Sequence, residues 1–345
     1  MFQYVIKKIG YGLLVMLGVI TLIFALFNIL PGDPARMMLG QNADQESIDM
    51  IHKELGLDKP LPIQYLDYLN DLSPIGMDED GQFGFKAPNL RRSYQSGKTV
   101  VSILGESFPN TILLALVSIA FAFVVGVTLG SLAAIYSDTW LEKAILLLTS
   151  FGMSLPSFFA AILIAWFFAF VLADYTGLSM FGSLYSVDDF GNGEYIDLKN
   201  LILPALTLGI RPLSVICELT KSTMKEVLQQ DYIRTAKAKG LSKFQIIKNH
   251  ALRNTLNPVV SSISSWFASL IAGAVFVEYI FDWKGVGVVI VDSLEKYDFP
   301  VLMGTLIVIC VMLIIINVLT DIIHAGLSIL AASNDPSVPP VPIKV

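Results

Sequence analysis

DYIRTAKAKGLSKFQIIKNHALRN, residues 231–254, is the most basic stretch of the chain, and apolar runs long enough to cross a membrane lie on both sides of it. Residues 221–253 hold eight Lys or Arg against two acids, Glu226 and Asp231. Loops of this kind between apolar runs are retained on the cytoplasmic face. The composition fits a bilayer setting: of 345 residues 54% are hydrophobic and only 15% charged, where soluble domains carry roughly 25% charged residues.

Working outward, five stretches lack Asp, Glu, Lys and Arg over about the 17 to 25 residues that a spanning helix needs. They run over 9–32, 107–137, 144–173, 254–277 and 299–320. A sixth, LILPALTLGIRPLSVICEL from Leu201, carries Arg211 and Glu218 in otherwise apolar sequence. The run at 144–173 exceeds one span, and Pro156 within FGMSLPSFF is expected to bend it. It counts as one long kinked helix; two half-spans would invert the topology of everything after it. Lys7 and Lys8 precede an apolar run of more than twenty residues ending in NILPGDPAR. A secretory h-region is shorter, about 7 to 15 residues, so this is an uncleaved first helix.

The expectation is an all-α polytopic membrane helix bundle of about six transmembrane helices, with both termini cytoplasmic. A first helix over 1–30 leads to an external region at 31–106, then to a membrane core over 107–345. With six crossings the connections at 31–106, 174–199 and 278–298 lie outside and hold 22 acidic against 10 basic residues. The net charge of -6 is therefore a sum over two unlike faces.

Within the basic segment, Tyr232–Lys239 consists of good helix formers, and Gly240 is placed to end that helix in a left-handed conformation. Ser242 then caps a second helix. In that second piece Phe244, Ile247 and Ala251 fall at helical spacing, with Leu241 just before them. Three uses fit such a pair of amphipathic helices: contact with anionic lipid, a solvated loop, or docking of an apolar ridge into a groove of a cytosolic protein.

Catalytic patterns fail on inspection. SGKT at 96–99 lacks the earlier glycine of a phosphate-binding loop, whose position is Arg92. His52, His250 and His324 show no paired metal-ligand spacing. GVGVV at Gly285 lacks the third glycine of a dinucleotide site. Cys217 and Cys310 lie in apolar runs, where a small buried hydrophobe is expected rather than a disulfide. Arg211 and Glu218 are seven residues apart, hence nearly on one helix face. Charges at membrane depth cost at least ~2.5 kcal/mol each, so they face a bundle interior or a wet cavity. Arg211 either lines a translocation route, or it snorkels or pairs within the bundle, with Glu218 already near the cytoplasmic surface.

DYIRTAKAKGLSKFQIIKNHALRNTLNPVV resembles the cytoplasmic loop of permease subunits of ABC importers in the peptide and nickel permease family. That loop carries an EAA triplet, three residues and a glycine, matched here by Arg234, Thr235, Ala236 and Gly240. Arginine replaces the glutamate, and the Ile-x-Leu-Pro ending is lost. NILPGDPARMMLG, ELGLDKPLPIQYLDYL, LPSFF, LPALTLG and VEYIFDWKGVGVVIVDSLEKYDFPVL follow the family's order, so the resemblance covers most of the chain. The departures are longer external loops, DLSPIGMDEDGQFGFKAPNLRRSYQSGKT and GSLYSVDDFGNGEYIDLKN, whose composition implies turns or mobile loop.

The resemblance implies the ABC importer type I permease fold and a transport subunit without enzymatic activity. Arg234, Thr235, Ala236, Gly240, Leu241, Phe244 and Ile247 would couple it to an ATPase. The implied partners are a second homologous permease, two cytosolic ATPase domains that hold ATP and Mg, an external substrate-binding protein and the lipid bilayer, with no nucleic acid. This chain itself would bind no cofactor. Peptides are the implied cargo, with nickel or glutathione-like thiols also within the family. A passive channel or receptor and an intramembrane enzyme are the alternatives from other classes.

Overall fold

The computed structural model describes residues 2–29, 44–54, 56–77, 81–187 and 193–334. Most of NILPGDPARMMLG lies outside them. In chain order the helices are α1 (Phe2–Ile29), α2 (Gln45–Glu54), α3 (Leu61–Leu72), α4 (Val100–Ile135), α5 (Trp140–Ser154), α6 (Ser157–Trp166) and α7 (Ala173–Thr176). They continue with α8 (Ile202–Val227), α9 (Asp231–Ala238), α10 (Lys243–Ile246), α11 (Leu252–Gly273), α12 (Val275–Phe281), α13 (Val286–Glu295) and α14 (Phe299–Asn334). The two lengthened loops each contain a small antiparallel hairpin, β1 (Ile75–Met77) with β2 (Phe83–Phe85) and β3 (Tyr185–Val187) with β4 (Glu194–Ile196). The rest of the fold is helical, as expected.

Among the described residues four helices are long and apolar enough to cross a membrane, over Ile6–Phe27, Val100–Ile135, Leu198–Val227 and Phe299–Thr320. A fifth span is broken. The helices Trp140–Ser154 and Ser157–Val171 meet at 112°, so the single kinked helix expected over 144–173 is replaced by two helices. The cause is local: Pro156 has no N–H and excludes the helical conformation at the residue before it. Leu155 is accordingly extended, with φ -79 and ψ 135. The sixth expected crossing falls on α11, whose 22 residues reach about 33 Å. It is less apolar than the others because Arg253, Asn254, Asn257 and several serines lie along it.

The chain forms two compact units, Met1–Phe108 with Val288–Ile314 and Pro109–Gly287 with Ile315–Val345. In the first, Ile20, Ile23, Tyr68 and Ile307 form a buried core with Phe24 and Phe27. Arg91 pairs with Asp71 at 2.9 Å and lies over the Tyr68 ring. Asp298 accepts from Ser93 Oγ and from the Tyr94 N–H, which anchors the turn that contains SGKT.

The second unit shows which ends of its helices belong together. Lys221 of α8 pairs with Glu142 of α5 at 2.6 Å, and Lys243 lies over the Tyr136 ring just past α4. At the other end Asn110 of α4 bonds to the turn at Trp283 and Lys284, and the Gly182 N–H donates to the Phe281 carbonyl. Asn110 and Tyr136 are separated by about 39 Å of helix. The broken pair therefore starts at one end of the bundle and finishes at the other. It crosses once, and the alternative of two half-spans with inverted topology is removed.

Helix α8 approaches α4 closely where α4 carries glycine. A Cβ on Gly126 would lie 2.9 Å from Ile216 Cγ2, and one on Gly130 would overlap the Cys217 carbonyl oxygen. Gly126 and Gly130 are four residues apart, a small-xxx-small spacing that lets membrane helices pack closely.

Candidate functional site

The basic segment folds as the spacing of Gly240 and Ser242 predicts. Helix α9 ends at Gly240, with φ 81. The Gly240 N–H reaches the Lys237 carbonyl, and the Leu241 N–H reaches that of Ala236, the paired bonds of a Schellman ending. Ser242 then opens α10 with a capping box: its Oγ accepts from the Gln245 N–H, and its own N–H donates to Gln245 Oε1. The second helix does not stop there. One π turn, Ile247–Ala251, carries it into α11 without a break, closed by the Leu252 N–H on the Ile247 carbonyl.

That turn changes which residues face out. Val227, Ile233, Ala236, Ile246 and Ala251 form a buried core within the segment, with Leu228 and Leu241 against it. The expected ridge of Phe244, Ile247 and Ala251 does not exist as one face. Phe244 is 71% exposed, Ile247 is half-buried and Ala251 is fully buried. The π turn spends five residues per hydrogen-bonded step instead of four, which rotates Ala251 inward relative to a regular helix. Of the other residues singled out, Arg234, Thr235 and Gly240 are exposed, while Ala236 belongs to the core. Ile233 and Ile246 anchor that core, and the 3-residue step from Ile233 to Ala236 was their only signal in the sequence.

The exposed side of the segment is thus Phe244 in a basic field, with Lys248 6.0 Å from its ring and Arg234 on the neighbouring helix. Its inner side is tied to the bundle. Asn254 of α11 donates to the Tyr232 hydroxyl at 2.8 Å, and Lys243 and Lys221 reach α4 and α5 as described.

Helix α8 is buried over most of its length, yet Arg211, Glu218, Ser222 and Lys225 are exposed. Their spacing of seven, four and three residues places them on one face. Among the described residues neither Arg211 nor Glu218 makes a hydrogen bond or ion pair. The side chains of Asp321 and His324 lie outside the described residues, and no group of three or more His, Cys, Asp or Glu able to hold a metal occurs among those described.

One buried cluster lies in the VEYIFDWKGVGVV stretch, to which the sequence assigned no chemical role. Glu278 of α12 is fully buried, and its Oε2 accepts from the Gly287 N–H at 2.6 Å. Thr111 Oγ1 accepts from the Val286 N–H at 2.8 Å, so two side chains cap the start of α13. Trp283 Nε1 donates to the Asn110 carbonyl, and Asn110 Nδ2 donates to the Lys284 carbonyl. Burial pushes the Glu278 carboxyl up to about 7, against the Thr111 hydroxyl and the Gly287 N–H, which favour the ionised form.

The fold is that of an ABC transporter membrane subunit. A chain of the inward-facing MetNI methionine ABC transporter superposes with a TM-score of 0.52, covering 65% of this chain and 95% of that one at 15% identity. The chain belongs to the family described as "Binding-protein-dependent transport system inner membrane component", which matches residues 126–328, and the corresponding N-terminal family matches residues 1–115. The di/tripeptide transport system permease protein DppB of Pseudomonas aeruginosa is 32% identical over 342 residues, covering 94% of this chain and 97% of that protein. The glutathione transport system permease protein GsiC of Pectobacterium atrosepticum is 33% identical over 328 residues, covering 95% and 98%. The chain is therefore a multi-pass inner-membrane permease subunit of an ABC importer rather than an enzyme, and its family implies an ATPase and a binding protein as partners.

Proposed function

We propose that this chain forms half of the translocation pathway of an ATP-driven importer of short peptides and takes its energy from a cytosolic ATPase at residues 231–254. The observation that carries this is Phe244, held exposed in a basic field by a segment that packs its other apolar residues inward. An exposed aromatic on a rigid support is a usual anchor for a partner's pocket. Arg234, Thr235, Gly240 and Phe244 form the docking face, and Ala236, Leu241 and Ile247 support it from within.

Short peptides as cargo rest on the two named relatives, since glutathione is itself a tripeptide. The polar face of α8 supports a pathway. Arg211 and Glu218 exposed to lipid would be costly, so a second homologous permease covers this face and a wet passage runs along it. Two ATPase domains hold ATP and Mg, an external binding protein delivers the peptide, and both termini are cytoplasmic. When the ATPase pair closes, a push at Phe244 passes through α10 and the π turn into α11 with no hinge between. Tyr232–Asn254 and Lys221–Glu142 spread it to α8, α9 and α5.

The test is copurification. Tagged chain should bring down a nucleotide-hydrolysing partner, and Phe244→Asp should abolish that while leaving the thermal melt of the chain unchanged, because Phe244 supports nothing inside. Full recovery of an active ATPase with Phe244→Asp would remove this docking site.

A further inference from the structure

Glu278 is used neither by the coupling segment nor by the polar face of α8. It nonetheless ends in a completely buried carboxyl group. Helix α13 opens with the N–H groups of Val286 and Gly287, and side chains from two different elements take one each, Thr111 of α4 and Glu278 of α12. Asn110, next to Thr111, exchanges two more bonds with the turn at Trp283 and Lys284. The carboxyl has no room to withdraw. A Cβ on Gly285 would overlap it, and one on Gly287 would lie 2.5 Å from Val275 Cα. Parting the start of α13 from α4 would leave the buried donors of Val286 and Trp283 without Thr111 and Asn110, while Gly287 would keep Glu278 of α12.

We propose that Glu278 is a positioning residue for transport: from α12 it holds the first turn of α13 where Val286 reaches Thr111 of α4, so that these segments move as one body and the opening at this end of the bundle forms elsewhere. This rests on the transport reading above. Its physical content is that a buried, tightly walled polar contact behaves as a bistable joint, either whole or broken, and not as a surface that slides.

The experiment uses the complete transporter in proteoliposomes, with Cys217 and Cys310 replaced by alanine and with Asn110→Cys and Lys284→Cys introduced. A short reducible reagent joins the two thiols. With Glu278 present, ATP-driven uptake of radiolabelled alanyl-alanine is expected to survive the tether. Uptake that is lost on tethering and regained on reduction overturns the proposal, because the opening would then run between these segments. In the same background Glu278→Ala is expected to lower uptake about tenfold, the cost of one unpaired buried donor in the held state. Tethering should restore it, since the covalent link holds the turn before α13 against α4 without the carboxyl group. An untethered Glu278→Ala protein of undiminished activity overturns the proposal, as does one that assembles and tethers yet stays inactive. If Glu278→Ala fails to assemble, the first arm decides alone. ATP hydrolysis measured alongside separates this from failure of the peptide reading: a wrong cargo silences uptake in every sample, whereas hydrolysis still responds to the tether.

Discussion

At the scale of single residues, glycine and glutamate show how burial turns ordinary chemistry into constraint. Gly105 and Gly130 both lie in α4, but a Cβ on Gly105 meets nothing within 4 Å, while one on Gly130 overlaps the backbone of α8. Gly105→Ala should be neutral or stabilise by about 0.5 to 1 kcal/mol through helix propensity. Gly130→Ala should cost about 1 to 3 kcal/mol, because backbone must move; thermal melts of the detergent-purified chain compare the two directly. Glu278 gives a pH signature. Its pKa in the folded chain is about 7 against an ordinary 4.5, so between those values the folded chain keeps a proton that the unfolded chain has released. Its contribution to stability is complete below about pH 4.5 and lost as pH rises through about 7. The melting temperature of the protein relative to Glu278→Gln should therefore fall across that window and stay level above it. A difference independent of pH would show that the carboxyl is not held neutral.

Among the elements, the segment 231–254 is where local and tertiary forces divide most clearly. Gly240 has open space around its α-carbon, so its only constraint is φ 81. Gly240→Ala should cost about 1 to 2 kcal/mol of local stability, the penalty for a side chain in the left-handed region. Gly240→Pro, fixed near φ -65, should prevent the α9 ending altogether. Limited proteolysis within 231–254 measures both. If Gly240→Pro resists proteolysis as well as the unaltered chain, the Schellman ending is not what shapes the loop. Ile233→Asp should open the segment in the same assay, because Ile233 is buried at its centre. The broken span teaches a related lesson: one proline set a 112° bend, but only the contacts at its two ends show that the chain still crosses.

For the molecule as a whole, the polar face of α8 is the feature with most consequence. Arg211 is exposed on a helix otherwise packed into the bundle, and no partner within the described chain neutralises it. Arg211→Ala should leave assembly and thermal stability unchanged and reduce peptide uptake by an order of magnitude or so, roughly the loss of one charge-assisted hydrogen bond. Uptake equal to that of the unaltered transporter would remove Arg211 from the pathway. The same face argues for a second permease, since a single copy in lipid would expose both Arg211 and Glu218.

The sequence by itself determined the membrane setting and the Gly240–Ser242 break. These follow from composition, or from forces acting within one helical turn. It also carried the family, through Arg234, Thr235, Ala236 and Gly240 in order with the other motifs. Tertiary structure alone decided which apolar residues of the segment 231–254 face inward, because Val227, Ile233, Ala236, Ile246 and Ala251 close one core and the π turn at Ile247–Ala251 interrupts regular helical spacing. It decided that Gly126 and Gly130 meet α8, that Arg211 has no partner within the described chain, and that Glu278 and Thr111 hold one helix start between them. Each of these joins residues far apart in the chain, and no period or cap encodes such a meeting: it exists only once the helices are packed and water has been excluded from between them.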